Sequence, residues 1–383
     1  MKMGKKFVYA DNAATTKISQ SVLDAMMPYL TEQFGNPSGV YSAGRRAKRA
    51  IETARQKAAL ALGCEPSEIY FTSCGTESDN WALAGTYKAL APDGKKRIIS
   101  TAIEHPAVLN TLEDLKKQGA EIVLLPVKEN GRIDPEEVKK AITPDTALVS
   151  VMAANNETGV IQPIDEISRI CAEHEVLFHT DAVQAVPHMQ FDLANSGISM
   201  LSLSGHKLHA PKGTGILYIR NGLSVPQILF GGSQESGLRP GTENVASIVG
   251  LGKALEDLFP DSENRNARIR SLRDRLAEGL LKNEGVIING DRENMLPGHC
   301  SISVKGADGE KLLLMLDLKG ICASAGSACT SGDSEPSHVL KAMGVKPEFL
   351  NGSVRFTIDE YNDEEDTDYI TETFSEILKK GVR

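Results

Sequence analysis

Aromatic residues are scarce in this chain, at 5% of 383 residues with a single tryptophan. A core of this size must therefore be filled by aliphatic side chains and alanine, which the 41% hydrophobic content permits. No run approaches the roughly 18 uninterrupted apolar residues of a membrane span, and the opening MKMGKKFVYADNAATT lacks the apolar middle of a secretory signal. A soluble, cytoplasmic protein without a membrane partner is expected. Positive charge is not concentrated either: 42 Lys and Arg face 51 Asp and Glu, for a formal net charge of −9. That balance argues against nucleic acid as a direct ligand, while leaving room for a locally basic docking face. Cys64, Cys74, Cys171, Cys300, Cys322 and Cys329 form no Cys-x-x-Cys pair and no Cys/His spacing of a structural zinc site. In a reducing compartment they are not expected to form disulfides. A Gly-x-x-x-x-Gly-Lys loop is missing, which weighs against a nucleotide-binding or scaffold protein, and no internal repeat is present.

What is present is alternation. From about residue 46 to 220, helical segments alternate with short apolar runs at Ile69–Thr72, Arg97–Thr101, Glu121–Pro126, Ala147–Met152, Val176–His179, Met200–Leu203 and Gly215–Ile219. Seven such runs predict an α/β domain with a large, mainly parallel sheet. Polar residues cluster just after these runs, as Gly75-Thr76-Glu77, Glu104-His105, Asn155-Asn156-Glu157, Asp181 with Gln184, and Ser204-Gly205-His206-Lys207. In an open α/β sheet ligands bind beyond the carboxyl ends of the strands, so five segments can converge on one pocket. After about residue 250 the pattern changes to a charged helical stretch, Ser262–Asn283, strand-like runs at Val286–Asn289 and Cys300–Val304, an amphipathic Asp308–Leu318, and Ser353–Ile358 before an acidic helix. This predicts a smaller α+β domain, with the boundary near Leu258–Asp261.

Lys207 stands between two apolar β-like runs with Asp181 upstream. That arrangement suits pyridoxal phosphate chemistry, in which a lysine forms a Schiff base with the aldehyde and an acid pairs with the pyridine nitrogen. At ~3 Å and an effective dielectric of ~20, that ion pair is worth roughly 5 kcal/mol, enough to keep the nitrogen protonated near neutral pH. Each residue also has a plainer reading. Gly75-Thr76 at a helix start can meet a phosphate dianion or be an ordinary cap, and Asp181 can be a turn residue. Gln184 and Asn156 can donate to the ring's phenolic oxygen, and His105 can lie on the ring face or serve structure. Arg355, on a strand-like run, can grip a carboxylate in a bidentate pair or form a salt bridge. Cys329 lies in Ala323–Pro336, which holds no large apolar residue. Seven extended residues on either side span ~23 Å, so a nucleophilic thiol there could travel between cofactor and surface.

Taken together, Tyr9–Thr16, Gly35-Asn-Pro-Ser38, Cys74–Asn80, Asn155–Gly159, Asp181–Gln184, Ser204–Lys207, Arg239–Thr242 and Gly326–Ser331 resemble the cysteine desulfurases of the class V aminotransferase superfamily, nearly end to end. The resemblance implies an aspartate-aminotransferase-like, fold-type I α/β architecture. It divides the chain into a large cofactor-binding domain over 16–258 and a small domain made of 1–15 and 259–383, which carries the Cys329 loop (323–336). It implies pyridoxal 5'-phosphate bonded to Lys207, paired with Asp181 and stacked by His105, with Gly75, Thr76, Glu77, Asn156, Gln184, Ser204 and His206 around ring and phosphate. Thr242 of one subunit would reach the phosphate of the other in a homodimer. Asn156 and Arg355 would hold L-cysteine, and Cys329 would take its sulfur as a persulfide. An iron–sulfur scaffold or another acceptor protein would receive that sulfur, with Cys329 as a transient cluster ligand. Lys207, Cys329 and His105 are then the catalytic set. A selenocysteine lyase or another class V aminotransferase is the alternative. Tyr41, Cys74 and Thr357–Glu360 depart from the family pattern, where histidine, a small residue and a Gly-Arg are common.

Overall fold

A computed structural model describes residues 6–325 and 336–381. Its strands, in chain order, are β1 (Val8–Tyr9), β2 (Ile69–Thr72), β3 (Arg97–Thr101), β4 (Glu121–Leu125), β5 (Thr146–Ser150), β6 (Leu177–Asp181), β7 (Met200–Ser204), β8 (Gly215–Ile219), β9 (Val286–Ile288), β10 (His299–Val304), β11 (Ile321–Cys322) and β12 (Ser353–Thr357). The seven expected runs form one sheet in the order β2-β8-β7-β6-β5-β3-β4. Only β8 runs against its neighbours, so β2, β7, β6, β5 and β3 all end on the same edge.

The strands read as unbroken apolar runs because both faces are buried. Successive residues point to opposite cores: Ile99, Val149, Phe178 and Leu201 join one cluster, whereas Ile98, Leu148, Met200 and Leu217 join the other. The first is covered by helices contributing Ile51, Ala54, Ala58, Ile167, Leu251 and Leu255, the second by helices contributing Trp81, Leu83, Val108 and Leu112. Alanines along the helix Ser42–Leu62 bring its backbone close to the sheet, which is how a chain poor in aromatics fills this volume.

In the large sheet two strands run past their expected ends, whereas β4 and β5 stop short of theirs, at Leu125 and Ser150. β6 runs to Asp181, beyond His179, and β7 runs to Ser204, with Asp181 paired to Ser202 and Ser204 to Gly215. Apolarity stops before the ladder does, because the last residues on this edge face a polar cavity.

The remaining strands form a three-stranded antiparallel sheet, β12-β10-β9, and a parallel pair, β1 with β11. Helices Ser262–Leu280, Gly309–Asp317 and Glu364–Lys379 cover them, burying Leu276, Leu312 and Phe374 against Val8, Ile302 and Phe356. The first two are shorter than the expected helical stretches. Asp308, expected inside its helix, is the cap, accepting from the N–H groups of Glu310 and Lys311. Single bridges join Asp11 to Thr357 and Ser324 to Arg355. They tie the N-terminal segment and β12 together beside the large sheet's ligand edge.

Candidate active site

The polar segments after β2, β3, β5, β6 and β7 enclose a cavity of about 380 Å³ whose walls include Gly75, Thr76, His105, Asn156, Asp181, Gln184, Ser204, His206, Lys207 and Arg355. Its ammonium-bearing corner is built by the turn after β7. Lys207 Nζ donates to the main-chain carbonyls of Ala13 and Ala14, the latter at 2.8 Å. The carbonyl of Ala13 also accepts from Gln184 Nε2 at 2.9 Å, so the expected ring-facing amide is also a tie to the N-terminal segment.

Asp181 is buried at the cavity floor, and its Oδ1 accepts from the N–H of Val183 at 2.9 Å. Burial raises its pKa, against the opposing pull of His105, the Val183 N–H and Lys207. A cation brought against this carboxylate would oppose that shift. His105 caps the helix Pro106–Lys117 by accepting from Ala107 N–H through Nδ1 at 3.1 Å, so in the neutral ring the proton sits on Nε2. Burial lowers its pKa most, Asp181 opposes this, and Lys207 and His338 add to it. The ring is thus both a cap and a wall of the cavity.

At the phosphate-sized end, the helix Gly75–Leu90 begins with Gly75 and Thr76 lining the cavity, and a helix start offers N–H groups that have no partner within the helix. A Cβ at Gly75 would lie 2.7 Å from Val183 Cγ2, so the close approach of helix and strand end requires glycine. Gly215 meets the same limit across the sheet, where a Cβ would come within 2.8 Å of the Leu203 carbonyl. Ser204 Oγ is buried without a hydrogen-bond partner, and His206 is pushed down to about 4, chiefly by burial and then by Lys207 and Lys212. A helix N-terminus, an orphaned hydroxyl and two nearby lysines suit a phosphate dianion, and the buried carboxylate suits a pyridinium. The residues present therefore fit pyridoxal phosphate.

One expected cofactor contact lies elsewhere. Glu77 does not line the cavity: its carboxylate accepts from Arg239 at 2.8 and 3.1 Å and from Ser73 N–H at 2.8 Å, and so braces the loop that carries Thr242. Its side chain is turned away from the cavity that Gly75 and Thr76 line. Thr242 is exposed and outside this chain's cavity. Cys329 lies outside the described residues, and with it the expected cluster ligation. Among the described residues no cluster of three or more His, Cys, Asp or Glu could hold a metal ion. No helix among them is long and apolar enough to cross a membrane.

Several site residues carried no assigned role in the sequence. Asp11, Ala13 and Ala14 belong to the Tyr9–Thr16 motif, but no spacing pattern ties that motif to Lys207. Asp79 and His338 also face the cavity. His338 Nε2 donates to the Glu104 carbonyl at 3.0 Å, and Ser337 Oγ donates to the buried Glu157 at 2.5 Å.

Glu104, beneath this wall, accepts from Thr101 Oγ at 2.6 Å and from Met152 N–H at 3.1 Å. Burial outweighs these donors and pushes its pKa from 4.5 up to about 8. The folded protein therefore keeps a proton that the unfolded chain has released, and stability falls as pH rises from 4.5 toward 8. Glu104→Gln cannot ionise, so its unfolding free energy should lose this alkaline slope. Urea titrations at pH values near either end of that window would measure it, and an unchanged slope would count against a buried neutral acid.

A doubly covered, mainly parallel sheet with a lysine and a buried acid at its carboxyl edge makes this an α/β enzyme of the pyridoxal-phosphate type. The family model for class-V aminotransferases matches residues 8–370. The cysteine desulfurase IscS of Methanosarcina thermophila is 50% identical over 375 residues, covering 98% of this chain and 93% of that protein. A solved NifS-like protein superimposes with a TM-score of 0.92 at 40% identity, over 98% of this chain and 100% of that one. A structure of SspA in complex with cysteine follows at a TM-score of 0.83 and 34% identity, over 93% of this chain and 100% of that one. The chain belongs to the class-V aminotransferase family and, within it, to the cysteine desulfurases.

Proposed function

We propose that the cavity at the carboxyl edge of the sheet is where this pyridoxal-phosphate-dependent cysteine desulfurase takes sulfur from L-cysteine, leaving L-alanine. The observation that carries the reading is the placement of Lys207 Nζ against the Ala13 and Ala14 carbonyls in the same cavity as buried Asp181. When bound, pyridoxal phosphate supplies an electrophilic aldehyde and an electron-accepting ring.

The chain's own residues do the rest. Gly75, Thr76, Ser204 and His206 hold the phosphate, and Thr242 of the second subunit of a homodimer completes that end. Asp181 keeps the ring nitrogen protonated, and Gln184 and Asn156 address the ring's oxygen side. His105, fixed by the Ala107 N–H, covers the ring and offers Nε2 for proton movement. Lys207 Nζ bonds the cofactor at rest and carries the proton of the substrate's α-carbon during turnover. Arg355 with Asn156 holds the substrate carboxylate. Cys329 thiolate attacks the substrate sulfur, so that the carbon–sulfur bond breaks, a sulfur–sulfur bond forms and a persulfide stays on the enzyme. An acceptor thiol or an iron–sulfur scaffold then takes that sulfur, with the cluster as cargo near Cys329. A division into 16–258 and 1–15 with 259–383 places Lys207 on one unit and Arg355 on the other. The reading places the enzyme in the cytosol.

The purified protein should be yellow, bleach with borohydride, and form alanine and sulfide in equal amounts from L-cysteine and a reducing thiol. Alanine without sulfide, or a colourless protein that pyridoxal phosphate does not restore, would sink the proposal.

A further inference from the structure

The N-terminal motif places an acid against the arginine that lines the cavity. Asp11 Oδ1 accepts from Arg355 Nη2 at 2.8 Å, and its Oδ2 accepts from Ser324 Oγ at 2.7 Å. Arg355 Nη1 donates to the Asn156 carbonyl at 2.8 Å, and Nε is buried without a hydrogen-bond partner. A guanidinium is planar with five N–H directions in fixed relation, so holding one hydrogen on each Nη fixes where the remaining donors point. Asp11 is itself held. Its backbone bridges Thr357, and Ser324 exchanges main-chain hydrogen bonds with Arg355 at 3.2 and 2.7 Å. The Arg355 side chain is only 2% exposed and that of Asp11 15%, so this is a desolvated pair and not a surface contact that water and side-chain entropy would cancel.

We propose that Asp11 is the positioning residue of the substrate-carboxylate site: it sets the plane of the Arg355 guanidinium so that the Nε edge is presented to the carboxylate of the incoming amino acid. The inference rests on the reading of Arg355 as the carboxylate's partner. It also gives the Tyr9–Thr16 motif a double task, since the acid orients Arg355 while the carbonyls two and three residues later hold Lys207. The carboxylate takes no part in bond breaking and is gripped alike in ground and transition states. Losing its alignment therefore raises KM and leaves kcat nearly unchanged.

Asp11→Ala should raise KM for L-cysteine about tenfold while kcat stays within about threefold. Asp11→Asn should bring KM back to within about threefold of the wild type, because the amide oxygen still accepts from Nη2 and the amide hydrogens can meet Ser324 Oγ. Two competitive inhibitors separate positioning from general damage. Mercaptopropionate has the carboxylate and thiol but no amine, and should bind Asp11→Ala about tenfold more weakly. Cysteamine has the amine and thiol but no carboxylate, and its inhibition should not change. Equal weakening of both, or an unchanged KM, would overturn the proposal. Should the alanine variant fail to fold, Asp11→Glu keeps the charge but displaces its oxygens by a methylene, and the same two inhibitors decide. Arg355→Ala is the control. If it raises KM and Asp11→Ala does not, only this inference fails, whereas no rise in Arg355→Ala removes the underlying reading of Arg355.

Discussion

Lys207→Ala should lose L-cysteine turnover by at least about a thousandfold, the largest effect of any single substitution in this protein. Lys207 is the one lysine among the described residues that lines the cavity. Neighbouring ammonium groups therefore cannot replace it either as the covalent anchor or as the proton carrier. The helix N-terminus at Gly75, Ser204 and Asp181 remain, so the variant should still take up pyridoxal phosphate, but reversibly and removable by dialysis. Borohydride followed by peptide mass spectrometry makes the distinction. In the wild type the reduced cofactor should be found on the peptide containing Lys207, and in the variant on none. Finding it on another lysine of the folded wild type would remove the central assignment.

Cys329→Ser should abolish sulfide and alanine formation by at least about a hundredfold while leaving the absorption change on adding L-cysteine intact. The argument is one of elimination among thiols. Burial pushes Cys64, Cys171 and Cys300 up to about 12, which removes them as thiolates near neutral pH. Cys322 is raised as well, by burial first and then by Asp317 and Asp11. Cys74 is the one remaining rival, because it lines the cavity at its phosphate end. Cys74→Ser in an otherwise unchanged chain should keep sulfur transfer. If Cys74→Ser and not Cys329→Ser stops the reaction, the nucleophile has been misassigned.

The Glu77 result shows how far a motif can be read. Gly75-Thr76-Glu77 marks a helix start at a strand end, and so locates the phosphate-sized corner. Which of its side chains faces in depends on the helix's rotation about its axis, which here gives Glu77 to Arg239. The strand ends carry the same lesson. Hydrophobicity locates β6 and β7 but falls silent at Asp181 and Ser204, where the ladder continues with polar residues facing the cavity.

Local patterns were enough to establish seven apolar runs, the polar segments following five of them, and so an α/β sheet with a pocket at its carboxyl edge. These depend on periodicity and neighbours a few residues apart, which a chain displays directly. Only the tertiary structure decided that Asp11 stands against Arg355, 344 positions later, and that Ala13 and Ala14 hold Lys207. Such contacts arise where the N-terminal segment bridges β12 and passes the turn that carries Lys207, and no local spacing encodes which side chains that path brings into reach.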